Sequence, residues 1–309
     1  MTGKNGVLVT GASGVIGTAT VRVLEDAGYA VTAVSSVDGD LRDADAATAL
    51  IERVAPDAIV HLAARVGGLM GNAGSQGQMF LDNVRINTNV VEAARVANVR
   101  KIVAMGSVAV YPDGIELPMR ESDIWFGAPH ESEAGYAHAK RSMLAHLDAY
   151  RSQYGLQFAF AVSTNLYGPN DRYDEARGHV LPSLMSKFHR GVMNGEPVNV
   201  WGSGTATRDF LYSRDAAEAL KTLLEQGDGV YNVASGNHVT IKQLVDELVA
   251  VSGYTGEVTW DRTKPDGQAA RGYDITKLAA LGWAPRTTMR VALAETWEWY
   301  RANADHVRH

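Results

Sequence analysis

A short apolar run, Val7-Leu8-Val9-Thr10, leads directly into Gly11-Ala12-Ser13-Gly14-Val15-Ile16-Gly17, and a helix-like run over 18–27 follows. Strand, glycine turn and helix in that order leave few folds open. Gly11 permits the tight turn, Gly14 lets a bound group approach the backbone, and Gly17 lets helix and strand pack closely. The helix start offers free N–H groups and a positive dipole end, which suits the pyrophosphate of a dinucleotide. The spacing is G-x-x-G-x-x-G, and three glycines in such a turn can also be purely structural, so the rest of the chain must decide.

The rest of the first half repeats the alternation. Strand-like runs at 29–34, 58–62, 101–105 and 157–162 are separated by helical patterns at 43–54, 75–97 and 136–154. Near-continuous apolar strands between helices imply a parallel sheet covered on both faces. Ligands of such sheets lie beyond the carboxyl ends of the strands. The residues just after each strand therefore matter most: 11–17, 35–40, 63–65, 107–109 and 163–165. Beyond Tyr167 come a turn cluster, helical patterns at 181–190, 215–225, 241–251 and 290–303, and a strand at 198–201. The expected architecture is α/β, a Rossmann-type doubly wound parallel sheet with a smaller C-terminal substrate-binding lobe. The expected division is 1–168, completed by a return at about 205–235, and 169–309.

A net charge of −6 argues against a nucleic-acid surface. With no cysteine, disulfides, thiolate metal sites and thiol nucleophiles are excluded. No run approaches a membrane span and no signal-peptide pattern opens the chain, so a soluble, cytoplasmic protein is the expectation. No His/Asp/Glu cluster has metal-ligand spacing, so no metal is expected. No serine sits in a G-x-S-x-G elbow, which leaves a hydrolase unsupported.

Tyr136-Ala-His-Ala-Lys140 sets a phenol and an ammonium one helical turn apart on one face. A tyrosine of ordinary pKa, about 10, is too weak a base at neutral pH. An adjacent ammonium and a positively charged nicotinamide would both favour phenolate, so the pair can take a proton from a hydroxyl while hydride leaves the same carbon, or run the reverse. Ser107, just after the strand at 101–105, is placed to hold the substrate oxygen. His138 points away from the pair, and His61, ending a strand, reads as a satisfied core residue.

With these motifs in place, the chain resembles the extended short-chain dehydrogenases/reductases that act on nucleotide sugars. Within them it is most similar to the GDP-L-fucose synthase family, GDP-4-keto-6-deoxymannose 3,5-epimerase/4-reductases. The resemblance rests on Ala63-Ala-Arg-Val-Gly-Gly68, Tyr111-Pro-Asp113, Tyr136-Ala-His-Ala-Lys140, Thr164-Asn-Leu-Tyr-Gly-Pro169, Gly178-His-Val-Leu-Pro182, Val200-Trp-Gly-Ser-Gly204, Arg208-Asp-Phe210 and Lys264-Pro-Asp-Gly-Gln268. It implies Ser107, Tyr136 and Lys140 as the reductase triad and His179 as an acid/base. For the cofactor it implies Gly11, Ser13, Gly14, Val15, Ile16, Gly17, Ser35, Asp38, Asp40, Leu41, Ala63, Ala64, Arg65, Asn83, Gly106, Asn165 and Leu166, with Tyr136, Lys140 and His179. For the sugar nucleotide it implies Val66, Ser107, Val108, Ala109, Asn165, Val180, Lys187, Trp201, Arg208, Lys264 and Gln268. Relatives commonly form homodimers through a four-helix bundle, which the patterns at 75–97 and 136–154 can supply.

Three departures qualify the resemblance. The family's second epimerisation residue is a cysteine two positions after the serine, and here that position is Ala109. NADP-preferring members carry arginines by the glycine loop and after the second strand, where this chain reads Gly11-Ala-Ser-Gly14 and Ser35-Ser-Val-Asp38, with no cation. A 2′-phosphate thus lacks its fork-shaped partner, while Asp38 suits a ribose 2′-hydroxyl; NAD is slightly preferred over NADP. An acidic residue ending the second strand, as strong NAD preference would require, is not cleanly placed either. The reading most coherent with these losses is a nucleoside-diphosphate-sugar 4-epimerase that retains its cofactor. The alternative is a fucose-synthase-like 4-keto-sugar reductase or 3,5-epimerase/4-reductase. A non-catalytic dinucleotide sensor is a further alternative, against which the intact Tyr136/Lys140 pair speaks.

Overall fold

A computed structural model describes residues 6–67, 74–175, 178–264 and 270–307. Six parallel strands form the main sheet: β1 (Gly6–Thr10), β2 (Ala30–Val34), β3 (Ala58–His61), β4 (Lys101–Met105), β5 (Gln157–Ser163) and a strand at Gly229–Val233. Their spatial order is β2, β1, β3, β4, β5 and then Gly229–Val233. The chain leaves β1 in one direction to β2 and returns past it to β3. The order therefore reverses between β1 and β3, the place where sheets of this kind leave a crevice beyond the strand ends.

The strands sit where continuous apolar runs predict them, and β3, β4 and nearly all of β5 are fully buried. The sixth strand carries no such signal. Its Asn232 is wholly buried, and its side chain donates to the carbonyls of Met119 (3.0 Å) and Asp274 (2.9 Å) and accepts from the Tyr111 hydroxyl (2.5 Å). A polar residue with every group paired can occupy a core strand at little cost, and it hides the strand from hydropathy.

On one face of the sheet pack α1 (Val15–Asp26) and the helix Ser213–Gln226, through Val23, Leu24, Leu220 and Leu223. On the other pack α2 (Ala44–Val54), α3 (Gln76–Val96) and α4 (Ala134–Tyr154), through Leu50, Ile51, Val90, Val91, Leu144 and Leu147. A third apolar cluster joins the helices Val180–Asn194, Ile241–Ser252 and Met289–Asn303 around Phe188, Leu244, Leu248 and Trp297. Three two-stranded pairings accompany it, among them Val198–Trp201 with Val258–Asp261. No helix among the described residues is long and apolar enough to cross a membrane.

Candidate active site

At the switch point the glycine loop and the turn after β3 touch. A Cβ on Gly11, whose φ is +69°, would lie 2.7 Å from the Ala63 nitrogen; one on Gly17 would lie 2.2 Å from the Gly11 carbonyl oxygen. Both glycines are therefore required by the fold. Gly14 differs: a Cβ there meets only the Gly11 oxygen, at an ordinary 3.5 Å. Gly14 is the N-cap of α1, and neither a side-chain cap nor an acidic residue fills the first turn. The helix begins at Val15 rather than at 18, so Val15, Ile16 and Gly17 are its first residues and their N–H groups face the crevice end. An uncapped helix start beside exposed Ser13, with clear space over Gly14, fits a dinucleotide pyrophosphate.

The walls of this crevice are tied together. The Thr10 hydroxyl accepts from the amides of Leu62 (3.2 Å) and Ala63 (3.3 Å). It also meets His61 Nδ1 at 2.8 Å, while His61 Nε2 lies 3.2 Å from Asn87 Oδ1. Asn87 donates to the Ala139 carbonyl (3.4 Å) on α4. Burial, with the Lys140 charge adding to it, lowers the His61 pKa to about 3, so the ring is neutral. Nε2–H then donates to Asn87, and Thr10 donates to Nδ1. Asn83 fixes the turn Ala63-Ala64-Arg65 by accepting from Arg65 N (3.0 Å) and donating to its carbonyl (2.9 Å). The Arg65 guanidinium pairs with buried Asp82.

After β2, Asp38 accepts from the Ser35 amide (2.8 Å) and hydroxyl (3.2 Å), which shapes the turn and occupies one carboxylate oxygen. Asp40 forms a bidentate pair with Arg42, which holds its carboxyl down at about 2. Arg42 is a cation just past the stretch 35–38, and no strand, glycine or spacing marks it. The Leu41 carbonyl accepts from Asn89 (3.0 Å).

Beyond β4, Gly106 lies where a Cβ would strike the Phe160 ring at 2.3 Å. Ser107 caps the short turn Val108–Val110 by accepting from Ala109 N (3.2 Å), and its hydroxyl is close enough to the Tyr136 phenol to favour the phenolate. Ala109 packs on Tyr136 and Ala137. Lys140 is buried beneath, its Nζ 5.8 Å from the Tyr136 ring centroid and donating to the Met105 carbonyl (2.8 Å). Ser107, Tyr136 and Lys140 are thus brought together. Burial, reinforced by the Glu133 charge, raises the phenol pKa above its ordinary value despite the nearby Ser107 hydroxyl. Burial also lowers Lys140 to about 7. Burial is thus the largest influence on both groups. His138 is exposed.

His179 is the N-cap of the helix Val180–Asn194, with Val180 beside it. The residue is solvent-accessible, yet protein packed around the ring lowers its pKa by desolvation, against the opposing pull of Glu133. Farther out, Trp201 is half exposed, with Lys187 Nζ 5.4 Å and Lys264 Nζ 5.6 Å from its ring centroid. Arg208 donates to the Thr207 carbonyl (2.7 Å). Asn165, whose neighbour Leu166 packs on the core under the crevice, donates to the Asp209 carbonyl (2.9 Å). Val66 is exposed and Val108 buried. Gln268 lies outside the described residues. Among the described residues no group of three or more His, Asp and Glu could hold a metal ion.

Residues 7–234 match the NAD dependent epimerase/dehydratase family. The chain belongs to that family. GDP-L-fucose synthase 1 of Arabidopsis thaliana is 36% identical over 302 residues, 96% of this chain and 93% of the plant protein. A GDP-L-fucose synthetase from Naegleria fowleri bound to NADP superposes with a TM-score of 0.92 at 31% identity, covering 100% of this chain and 98% of that one. A UDP-glucose 4-epimerase from Thermotoga maritima, bound to UDP-glucose, gives 0.85 at 25% identity over 97% and 99%. This epimerase/dehydratase-family chain is therefore an NAD(P)-linked enzyme of the extended short-chain dehydrogenase/reductase fold. The weight of similarity lies with the epimerase/reductases and not with the 4-epimerases that the sequence departures had favoured.

Proposed function

We propose that the chain reduces the C4 ketone of a nucleoside-diphosphate 4-keto sugar, with GDP as the nucleotide. The observation that carries this is the meeting of Ser107, just beyond β4, with Tyr136 and buried Lys140 on α4, whose Nζ is anchored on the Met105 carbonyl at the end of that strand. Similarity to GDP-L-fucose synthases over nearly the whole chain supports the direction and the nucleotide. Ser107 and Tyr136 hold O4 of the ketone. When bound, a nicotinamide dinucleotide supplies the hydride that arrives at C4. Tyr136 gives its proton to O4 as the alcohol forms, and Lys140 stabilises the phenolate left behind. The glycine loop, the Ala63–Arg65 turn and Asn165 would hold the dinucleotide, and Lys187, Trp201, Lys264 and Arg208 the sugar nucleotide, where cations suit a diphosphate. Ser35-Ser-Val-Asp38, without a cation, supports use of NADH at least as good as that of NADPH. Exposed Phe80 and Leu81 on α3, which packs alongside α4, support pairing of two copies through these helices.

Incubation of the purified protein with GDP-4-keto-6-deoxymannose and NADH or NADPH tests the reading. One cofactor is oxidised per ketone lost. Isomerisation of an intact nucleotide hexose with no net change in cofactor would instead restore the 4-epimerase.

A further inference from the structure

Glu133 bears no motif, yet its charge reaches Tyr136 and His179. It ends the turn Glu131–Glu133 and caps α4, one turn before Tyr136. Residues at that spacing share a helix face. Its backbone is pinned. Gln76 accepts from Gly135 N and donates to the Glu131 carbonyl, both at 2.6 Å, and Glu133 N donates to the His130 carbonyl at 3.0 Å. The carboxylate, only 22% exposed, lies 3.7 Å from Arg271, a residue from the far part of the chain. It is close enough to act electrostatically on both Tyr136 and His179. Against the same tyrosine packs Ala109, whose methyl cannot carry a proton, in a chain without cysteine.

We propose that Glu133, oriented by Arg271, works with His179 to move protons at the carbons flanking the C4 ketone, in the role the family gives to the thiol absent from position 109. The inference rests on the reading of the site as a 4-keto-sugar enzyme. In each step the Glu133 carboxylate removes the proton from a carbon next to the carbonyl. The C–H pair becomes the double bond of an enolate, and the charge on O4 is held by the Ser107 and Tyr136 hydroxyls. The imidazolium form of His179, reached by uptake of a solvent proton, returns that proton to the opposite face, and the carbonyl re-forms. Glu133 then loses its proton to solvent and His179 is neutral again, so no electrons change hands. A carboxylate in a partly dry site is an effective base for carbon acids next to a carbonyl.

The experiment measures solvent deuterium entering GDP-4-keto-6-deoxymannose in D2O without cofactor, by mass spectrometry and NMR. Ketone reduction is measured separately with NADPH. The wild type incorporates deuterium at C3 and C5. Glu133→Gln lowers the exchange rate roughly a hundredfold and reduction far less, and Glu133→Asp restores part of the exchange. Three results overturn the proposal: a wild type that reduces without exchanging, a Glu133→Gln enzyme that exchanges like wild type, or equal loss of both activities in that variant. A wild type that neither reduces nor exchanges overturns the underlying reading as well.

Discussion

Tyr136 and Lys140 show how burial decides chemistry that spacing alone leaves open. The spacing puts phenol and amine on one face, but desolvation, not their mutual attraction, sets their protonation. Tyr136→Phe removes the proton donor and should lower kcat for reduction by about a thousandfold with little change in KM, read in steady-state assays. The lysine also leaves a mark on stability. Its pKa falls from 10.5 unfolded to about 7 folded, so folding expels its proton. This group's contribution is complete above pH 10.5 and declines as the pH falls towards 7. Lys140→Met removes that slope. The stability of the variant relative to wild type, from urea unfolding, should therefore rise between pH 10 and pH 7; a constant difference would contradict the assignment. At Ser36, exposed after β2, an introduced arginine should lower the KM for NADPH by about tenfold, since a charged hydrogen bond to phosphate is worth about 1.5 kcal/mol or more.

At the scale of elements, the glycine loop separates into two kinds of position. Gly17→Ala drives a methyl into the Gly11 carbonyl and should lower the melting temperature severely. Gly14→Ala meets only an ordinary contact and should leave melting nearly unchanged while weakening dinucleotide binding at least tenfold. Calorimetry on both variants, with and without NADH, separates the roles; equal melting temperatures for the two would defeat the distinction. The loop, the five sheet strands of the first half and their helices were readable because continuous apolar runs and helical periodicity act locally. The sixth strand was not, because Asn232 is paid for by partners at Tyr111, Met119 and Asp274, distant in sequence. The same limit hid the line from Thr10 through His61 and Asn87 to Ala139, which links the loop to the helix bearing Tyr136. Read singly, His61 is only a satisfied core histidine.

Across the whole molecule, the two ends of the candidate site are of different legibility and different physics. Ser107, Tyr136 and Lys140 are set by a strand end and one helix, so motif spacing located them. The Glu133–Arg271 pair joins segments far apart in the chain, and no periodicity announces such a contact. The outer end is different again: Lys187 and Lys264 flank a half-exposed Trp201 on Val198–Trp201, beside the third apolar cluster rather than the main sheet. Cations that remain in contact with water attract a diphosphate mostly through screened charge. Binding of GDP without cofactor should therefore weaken severalfold between 50 and 500 mM salt, while guanosine binding should change little. Trp201→Ala should weaken both ligands by a similar factor if the ring stacks on the base, because stacking is insensitive to salt and to phosphate. Isothermal titration of the two ligands at both salt concentrations decides the matter. A GDP affinity independent of salt would remove these lysines from the diphosphate site.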